Sequence, residues 1–459
     1  MGVERRAGRK VEGVKDRAAE DQPAGVPEGA TQAGEIRARW AWVEPTVWTE
    51  RMLAALEQGV KGGKWFSLMD KVYALPNLRG AFARVKANAG AAGVDRQTLM
   101  MFEQHVEANL QRLAQELRAK SYRPQAVRRQ WIAKAGKKHE KRPLGIPTVR
   151  DRVVQTALCQ VLEPIFEKDF AAHSYGFRPG RGCKDALRRV VELLRAGHTY
   201  VVDADFKNYF DTIPHSALLE EVKGKIADGR VLELIEAYLK TSIMDGLEQW
   251  VPAGGTPQGA VLSPLLSNIY LNPLDHLMRQ DGYEMVRYAD DFILLCRSEA
   301  EAQRALERVR QWTAHAGLTL HPEKTHIVDA AQPGGFDFLG YHFERGQRWP
   351  RKKSLEKFKE TIRAKTKRTS GQSLEGIIVN VNRTLRGWFN YFKHSHPRTF
   401  APLDGWVRMR LRSILRKRRG TRGRGGGNDH RRWPNAYFAT HGLYSLTTAH
   451  VAACQSSRR

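Results

Sequence analysis

The sequence predicts an α+β protein built around a split-βαβ (ferredoxin-like) sheet, and three observations predict it. Apolar, β-rich runs at residues 200–206, 284–288, 292–296 and 325–328 alternate with helical periodicity in the order β-α-β-β-α-β. Two acid clusters, Asp203 with Asp205 and Asp290 with Asp291, stand at the ends of strands that this topology makes neighbours. Past Phe343 the texture turns helical, aromatic and basic.

Taken in order, residues 1–40 are rich in Gly, Ala, Glu and Arg without apolar period and read as a loose tail. Residues 52–84 look helical with a break at Pro76-Asn77, a Gly-rich loop covers 87–95, and a polar helix runs over about 99–119. In the middle, helical pattern covers about 215–242 and 265–271. The runs 284–288 and 292–296 flank Ala289-Asp290-Asp291 and read as a hairpin, with helices packed on one face of the sheet. Ser298 and Glu301 mark a capping box that opens a helix to about Ala316.

Further on, Leu385, Trp388, Phe389 and Phe392 fall on one helical face, as do Val407, Leu411 and Ile414. Arg408, Arg412, Arg416 and Arg419 form a second stripe on the latter helix without acidic partners at i±4. Residues 420–427 read as a basic linker, and the last thirty as a small appendix.

Lys and Arg number 76 against 49 Asp and Glu, net +27. Residues 341–459 hold 28 basic and 6 acidic residues, which leaves the first 340 nearly balanced. Such a concentration points to a polyanion, nucleic acid ahead of a membrane. A hydrophobic fraction of 41% excludes a wholly disordered chain. Cys159, Cys183, Cys296 and Cys454 lie too far apart for a zinc motif or a disulfide framework. With no long apolar span and no signal-peptide pattern, the expectation is a cytoplasmic protein with no membrane partner.

An Asp pair in a turn is usually turn chemistry. Here the flanking strands are almost wholly apolar, so charge at their junction needs a compensating cation. Three carboxylates on one sheet edge can hold two Mg²⁺ ions about 3.5–4 Å apart, the spacing that in-line phosphoryl transfer uses. No Ser-His-Asp or Cys-His set competes, and no G-x-x-x-x-G-K-[ST] loop is present.

Tyr288-Ala289-Asp290-Asp291 resembles the YADD box of reverse transcriptases. From about 52 to 457 the chain resembles a group II intron-encoded reverse transcriptase/maturase, with blocks in family order: 142–147, 173–182, 203–211, 254–268, 317–325, 336–341 and 385–392. The resemblance implies a right-hand polymerase with helical fingers, a split-βαβ palm and a helical thumb. The expected division is a tail (1–40), an N-terminal helical extension and fingers (41–125), fingers and palm (126–343), thumb or maturase region (344–420), and linker with basic appendage (421–459).

The resemblance also implies roles. Asp205, chosen over Asp203 and Asp211, would join Asp290 and Asp291 as catalytic metal ligands, with the Phe206 carbonyl as a further ligand. Lys134, Arg142, Phe210, Gln258, Gly259 and Lys324 would bind the deoxynucleoside triphosphate, Phe210 by excluding a 2′-hydroxyl and Lys324 by protonating pyrophosphate. Phe338, Leu339 and Gly340 would grip the primer; Arg178, Arg408, Arg412, Arg416 and Arg419 would contact RNA. The implied activity is RNA-directed DNA synthesis on an RNA template and DNA primer, together with binding and splicing of group II intron RNA. Without paired C-terminal cysteines, second-strand cleavage is expected to be absent. Two alternatives stay open: an RNA-binding splicing factor without polymerase activity, and a reverse transcriptase recruited to another role such as defence.

Overall fold

The computed structural model describes residues 36–133, 140–421 and 427–456. Lys134 therefore lies outside the described residues, as does most of the expected tail. From the end of that tail onward, Trp40, Val43, Val47 and Trp48 are buried in the main core.

Strands fall into three sheets. The palm sheet is β3 (Tyr200–Asp205), β6 (Glu284–Tyr288), β7 (Asp291–Cys296) and β8 (His326–Asp329), all antiparallel in the order β6-β7-β3-β8. That is the split-βαβ order expected. Its residues alternate between two interiors. Val202, Ala204, Met285, Phe292, Leu294 and Cys296 enter the main core beside the helices Ser263–Gln280 and Glu299–His315. Val201, Val286, Ile293 and Leu295 enter a second core. Helices on one face alone were expected; this second face is covered by helix Cys183–Arg195 and by aromatic side chains of a small sheet.

The small sheet is β9 (Phe336–Phe338), β10 (Tyr341–Glu344) and β11 (Gln347–Pro350), in the order β11-β10-β9. The fingers depart from the helical expectation. Helices Leu75–Asn88, Val106–Arg118 and Val149–Glu167 are there, but so is a four-stranded sheet. Its order is β2 (Lys141–Ile146), β1 (Val127–Ala133), β4 (Ile243–Asp245) and β5 (Glu248–Trp250). β1 and β4 run parallel. The break expected at Pro76-Asn77 falls just before it, between helices Met69–Val72 and Leu75–Asn88, and Pro76 sits in the first turn of the second, where its missing N–H and fixed φ do no harm.

The thumb packs helices Lys352–Lys365, Leu374–Phe392 and Phe400–Arg418 around a third core. Leu385, Phe389, Val407, Leu411 and Ile414 are buried in it, as their periodicity predicts. The expected appendage is part of that core: Trp433, Phe438 and Leu446 are buried among the thumb residues. Asp404 ties it down, accepting from the Leu446 and Thr447 amides at 2.9 and 3.0 Å.

Candidate active site

β3 pairs with β7 so that Asp205 lies directly opposite Asp291. Opposed residues of an antiparallel pair point to the same face with Cβ atoms about 4.5–5.5 Å apart. Asp203, two residues back on that face, lies opposite Ile293 and, across β8, opposite His326. The register thus brings Asp205 to Asp291 and leaves Asp203 one step behind, with His326 Nε2 at 4.0 Å.

Asp290 occupies the two-residue turn between Tyr288 and Asp291, which face each other across the hairpin. Such tight turns need positive φ, and Ala289 supplies it at φ 59°, a conformation that strains a residue with a Cβ. The surroundings hold it there. Arg287 donates to the Ala289 carbonyl and to Asn268 Oδ1, each at 2.9 Å, and pairs through two nitrogens with Asp275. Arg287 and Asp275 are both fully buried. Asn268 donates in turn to the Gly176 carbonyl at 2.8 Å. A methyl on Gly176 would lie 2.1 Å from the Ala289 nitrogen, so only glycine lets that segment back the turn.

The sequence reading does not reach this foundation of the turn. One signal was present: an arginine within the apolar run EMVRY must find a buried partner.

Electrostatics follow from the crowding. Burial raises the Asp290 carboxyl above its usual range; Asp205 adds to the rise, and Arg287 opposes it. Asp291 keeps contact with solvent, yet protein crowds round it. Lost hydration, then Asp203, Asp290 and Asp205, push its carboxyl up to about 7, against Arg351. Burial, with Asp337 and Asp205, pushes Asp203 up to about 6, against His326. Lys324 Nζ reaches Asp205 Oδ2 at 2.5 Å, so the lysine expected at the nucleotide is at the carboxylates.

Among the described residues no three His, Cys, Asp or Glu side chains are already gathered around a single point. The donor chemistry nevertheless suits Mg²⁺, which takes a few carboxylates and leaves its other positions to water and phosphate. Mutually destabilised carboxylates on one edge are what a hard cation would relieve.

Around this edge, the chain from Asp205 to Lys207 is bonded to the segment after helix Glu299–His315. The Asp205 carbonyl accepts from His321 N at 2.7 Å, and Lys207 N donates to Thr319 O at 2.8 Å. The Phe206 ring is buried against Phe292, with centroids 5.2 Å apart. Phe210 is half-buried; its carbonyl accepts from Thr256 N at 2.7 Å, which docks the 254–259 block on it. Gln258 O accepts from Gly145 N at 2.6 Å, joining that block to β2, where Arg142 is exposed. At Gly259, φ is +104° and a Cβ would come within 2.4 Å of the Gly145 carbonyl. The close approach this glycine permits is to β2, where the sequence pointed to a nucleotide.

Leu339 and Gly340 form the two-residue turn between β9 and β10, both at positive φ, 45° and 83°. Tyr391 Oη donates to the Leu339 carbonyl at 2.7 Å, and Arg351 N to Gly340 O at 2.9 Å. The thumb helix thereby holds the turn, while Phe338 is buried beneath it.

Three of the expected RNA-contacting arginines are committed elsewhere. Arg178 is buried, forked onto Glu167 at 2.7–3.0 Å and bonded to the carbonyls of Ala171 and Ser174. Arg412 is buried against the Phe438 ring and donates to Trp433 O and Asn435 Oδ1, both at 2.9 Å. Arg416 pairs with Asp429 at 2.7 Å. No i±4 acid was needed, because partners came from distant sequence. Arg408 leaves its buried Nε unpartnered among the described residues, and Arg419 is exposed.

A palm sheet with acids paired across its central strands, covered by fingers and thumb, defines a right-hand nucleic-acid polymerase. Comparison with known families narrows the class. The family "Reverse transcriptase (RNA-dependent DNA polymerase)" matches residues 132–343, and "Group II intron, maturase-specific domain" matches residues 355–433. The chain belongs to the reverse transcriptases that carry a group II intron maturase domain. It is 32% identical to protein YkfC of Escherichia coli (strain K12) over 351 residues, covering 67% of this chain and 86% of YkfC. It is 38% identical over 202 residues to the group II intron-encoded protein LtrA of Lactococcus lactis subsp. cremoris, 44% of this chain and 33% of LtrA. An uncharacterized 91 kDa protein in the cob intron of Schizosaccharomyces pombe is 36% identical over 311 residues, 54% of this chain and 38% of that one. The chain thus spans about a third of the length of these two relatives. Among the described residues no helix is long and apolar enough to cross a membrane.

Proposed function

We propose that the protein extends a DNA primer on an RNA template with deoxynucleoside triphosphates, and that it also binds a group II intron RNA and assists its splicing. The observation that carries the reading is the register that sets Asp205 against Asp291 with Asp290 in the adjoining turn.

In the reaction the primer 3′-oxygen bonds to the α-phosphorus, the bond from that phosphorus to the bridging oxygen breaks, and pyrophosphate leaves. Asp205, Asp290, Asp291 and the Phe206 carbonyl would hold two Mg²⁺ ions, which would supply hydroxyl activation and charge neutralisation at the leaving group. Arg142 on β2 binds the triphosphate, and Lys134 keeps the same role from the sequence reading. Gln258 and Gly259 border the nucleotide. Phe210 lies under the sugar and excludes a 2′-hydroxyl. Lys324 hands a proton to the pyrophosphate once it releases Asp205. The rigid Leu339–Gly340 turn, with Phe338 below, places the primer end, which raises the effective concentration of the attacking oxygen. Arg408 and Arg419, with the basic thumb, engage RNA phosphates.

Primer extension on an RNA template with purified protein tests this. Asp290→Ala with Asp291→Ala is expected to reduce synthesis to background while the far-ultraviolet dichroism stays native. Unchanged synthesis in that variant would refute the site.

A further inference from the structure

Helix Cys183–Arg195, the β10–β11 hairpin and the loop after helix Leu374–Phe392 enclose a cavity of about 350 Å³ on the palm–thumb boundary. Its lining is apolar at Val191, Leu194 and Phe343, cationic at Arg195 and Arg348, and carries the imidazoles of His394 and His396. Among the described residues no carboxylate lines it. Two backbone contacts set the cationic wall: Arg348 Nε donates to His394 O at 2.8 Å, and His396 N donates to Arg348 O at 2.9 Å. The Arg195 side chain is exposed and makes no hydrogen bond or ion pair among the described residues.

This contrasts with the buried or paired arginines Arg178, Arg287, Arg412 and Arg416. Arg178, Arg287 and Arg416 each have a carboxylate, and Arg412 has two oxygen acceptors. Here positive groups face one another. Arg195 depresses the Arg348 pKa, after burial, and Arg348, Lys393, Lys184 and Arg188 depress that of His394, again after burial. Packing like charges round a cavity is unfavourable unless an anion fills it.

We propose that this cavity binds a backbone phosphate of an RNA strand, with the Arg195 and Arg348 guanidiniums as the charged donors and the His394 and His396 imidazoles beside them. Guanidinium forks match phosphate oxygens bidentately. A strand is favoured over free phosphate because the positive charge continues past the rim at Lys184 and Lys393, where neighbouring phosphates would lie. RNA as the partner rests on the maturase reading; none of the catalytic residues is involved.

The test uses the full chain and its Arg195→Gln/His394→Gln variant. The probe is a transcript of the reading frame with its flanking nucleotides, titrated by filter binding over a series of KCl concentrations. The variant is expected to bind about tenfold more weakly, with a log–log salt slope shallower by about 0.7–0.9 for the one phosphate lost. Primer extension on a short RNA template–primer should be unchanged. A wild-type chain without primer extension would sink the catalytic reading and leave this one standing. Equal affinity and slope in variant and wild type would overturn the cavity's role. Protection of Arg195 from phenylglyoxal by the transcript supports it. Protection by inorganic phosphate but not by the transcript would make this a free-phosphate site and overturn the RNA assignment.

Discussion

Asp291 carries the clearest conflict between stability and chemistry. Its carboxyl is pushed up to about 7 in the fold, whereas an unfolded chain leaves it at about 3.9. Between those values the folded state binds more protons than the unfolded one. Stability therefore falls as pH rises through that window, and the full penalty is present above it. Asp203, pushed up to about 6, acts in the same direction. Metal-free protein is expected to melt at a lower temperature at pH 8 than at pH 5.5. Asp291→Asn should flatten that dependence while abolishing synthesis, and added MgCl₂ should raise the wild-type midpoint more at pH 8 than at pH 5.5. Thermal melts across pH check this; a metal-free wild-type midpoint that rises toward pH 8 would contradict it. At this scale the sequence was informative where a residue's surroundings are local. The acids stand in apolar strands and so announced themselves. The arginines did not, because whether Arg178 or Arg412 faces solvent depends on Glu167 and on the Trp433 carbonyl, contacts that only the fold creates.

Elements differ in how far their own residues specify them. The palm strands were legible: β3, β6 and β7 are β-rich and apolar, and the capping serine at 298 accepts from Glu301 N at 3.2 Å as its motif predicts. The fingers sheet was not. β1 runs Arg-Arg-Gln-Trp through its middle with no apolar alternation, and β4 and β5 have three residues each, too few for a period. They become strands by pairing with one another. The β6–β7 hairpin adds a dependence on Arg287, whose removal would strand the buried Asp275 charge. Arg287→Met is expected to destabilise the protein by about 3–5 kcal/mol. Arg287→Met with Asp275→Leu should recover most of that loss, since an apolar pair can replace a buried ion pair. The recovered protein should still synthesise DNA poorly, because the Ala289 carbonyl has lost its donor. Urea unfolding with primer extension separates the two effects; full activity in the stable double variant would show that Arg287 only supports the fold.

For the whole molecule, the proposed mechanism requires two polymer-distant stretches, one near residue 205 and one near 290, to share a divalent ion, and the two cores on either side of the palm sheet hold them in register. Both interiors of the palm sheet clamp β3 to β7, and Tyr391 couples the thumb to the turn at Leu339. The overall order of fingers, palm and thumb was readable from the succession of blocks. The place of the last thirty residues was not, because Trp433, Phe438 and Leu446 have no periodic signature and find the thumb core only through tertiary packing. The most direct measurement is iron-directed cleavage: Fe²⁺ replaces Mg²⁺ in the full chain, and ascorbate and peroxide release hydroxyl radical at the bound ion. Cuts are expected near residue 205 and near residue 290 together, and both should vanish on Asp205→Asn. Cuts at only one of the two places, or cuts that persist at both in that variant, would contradict a shared site.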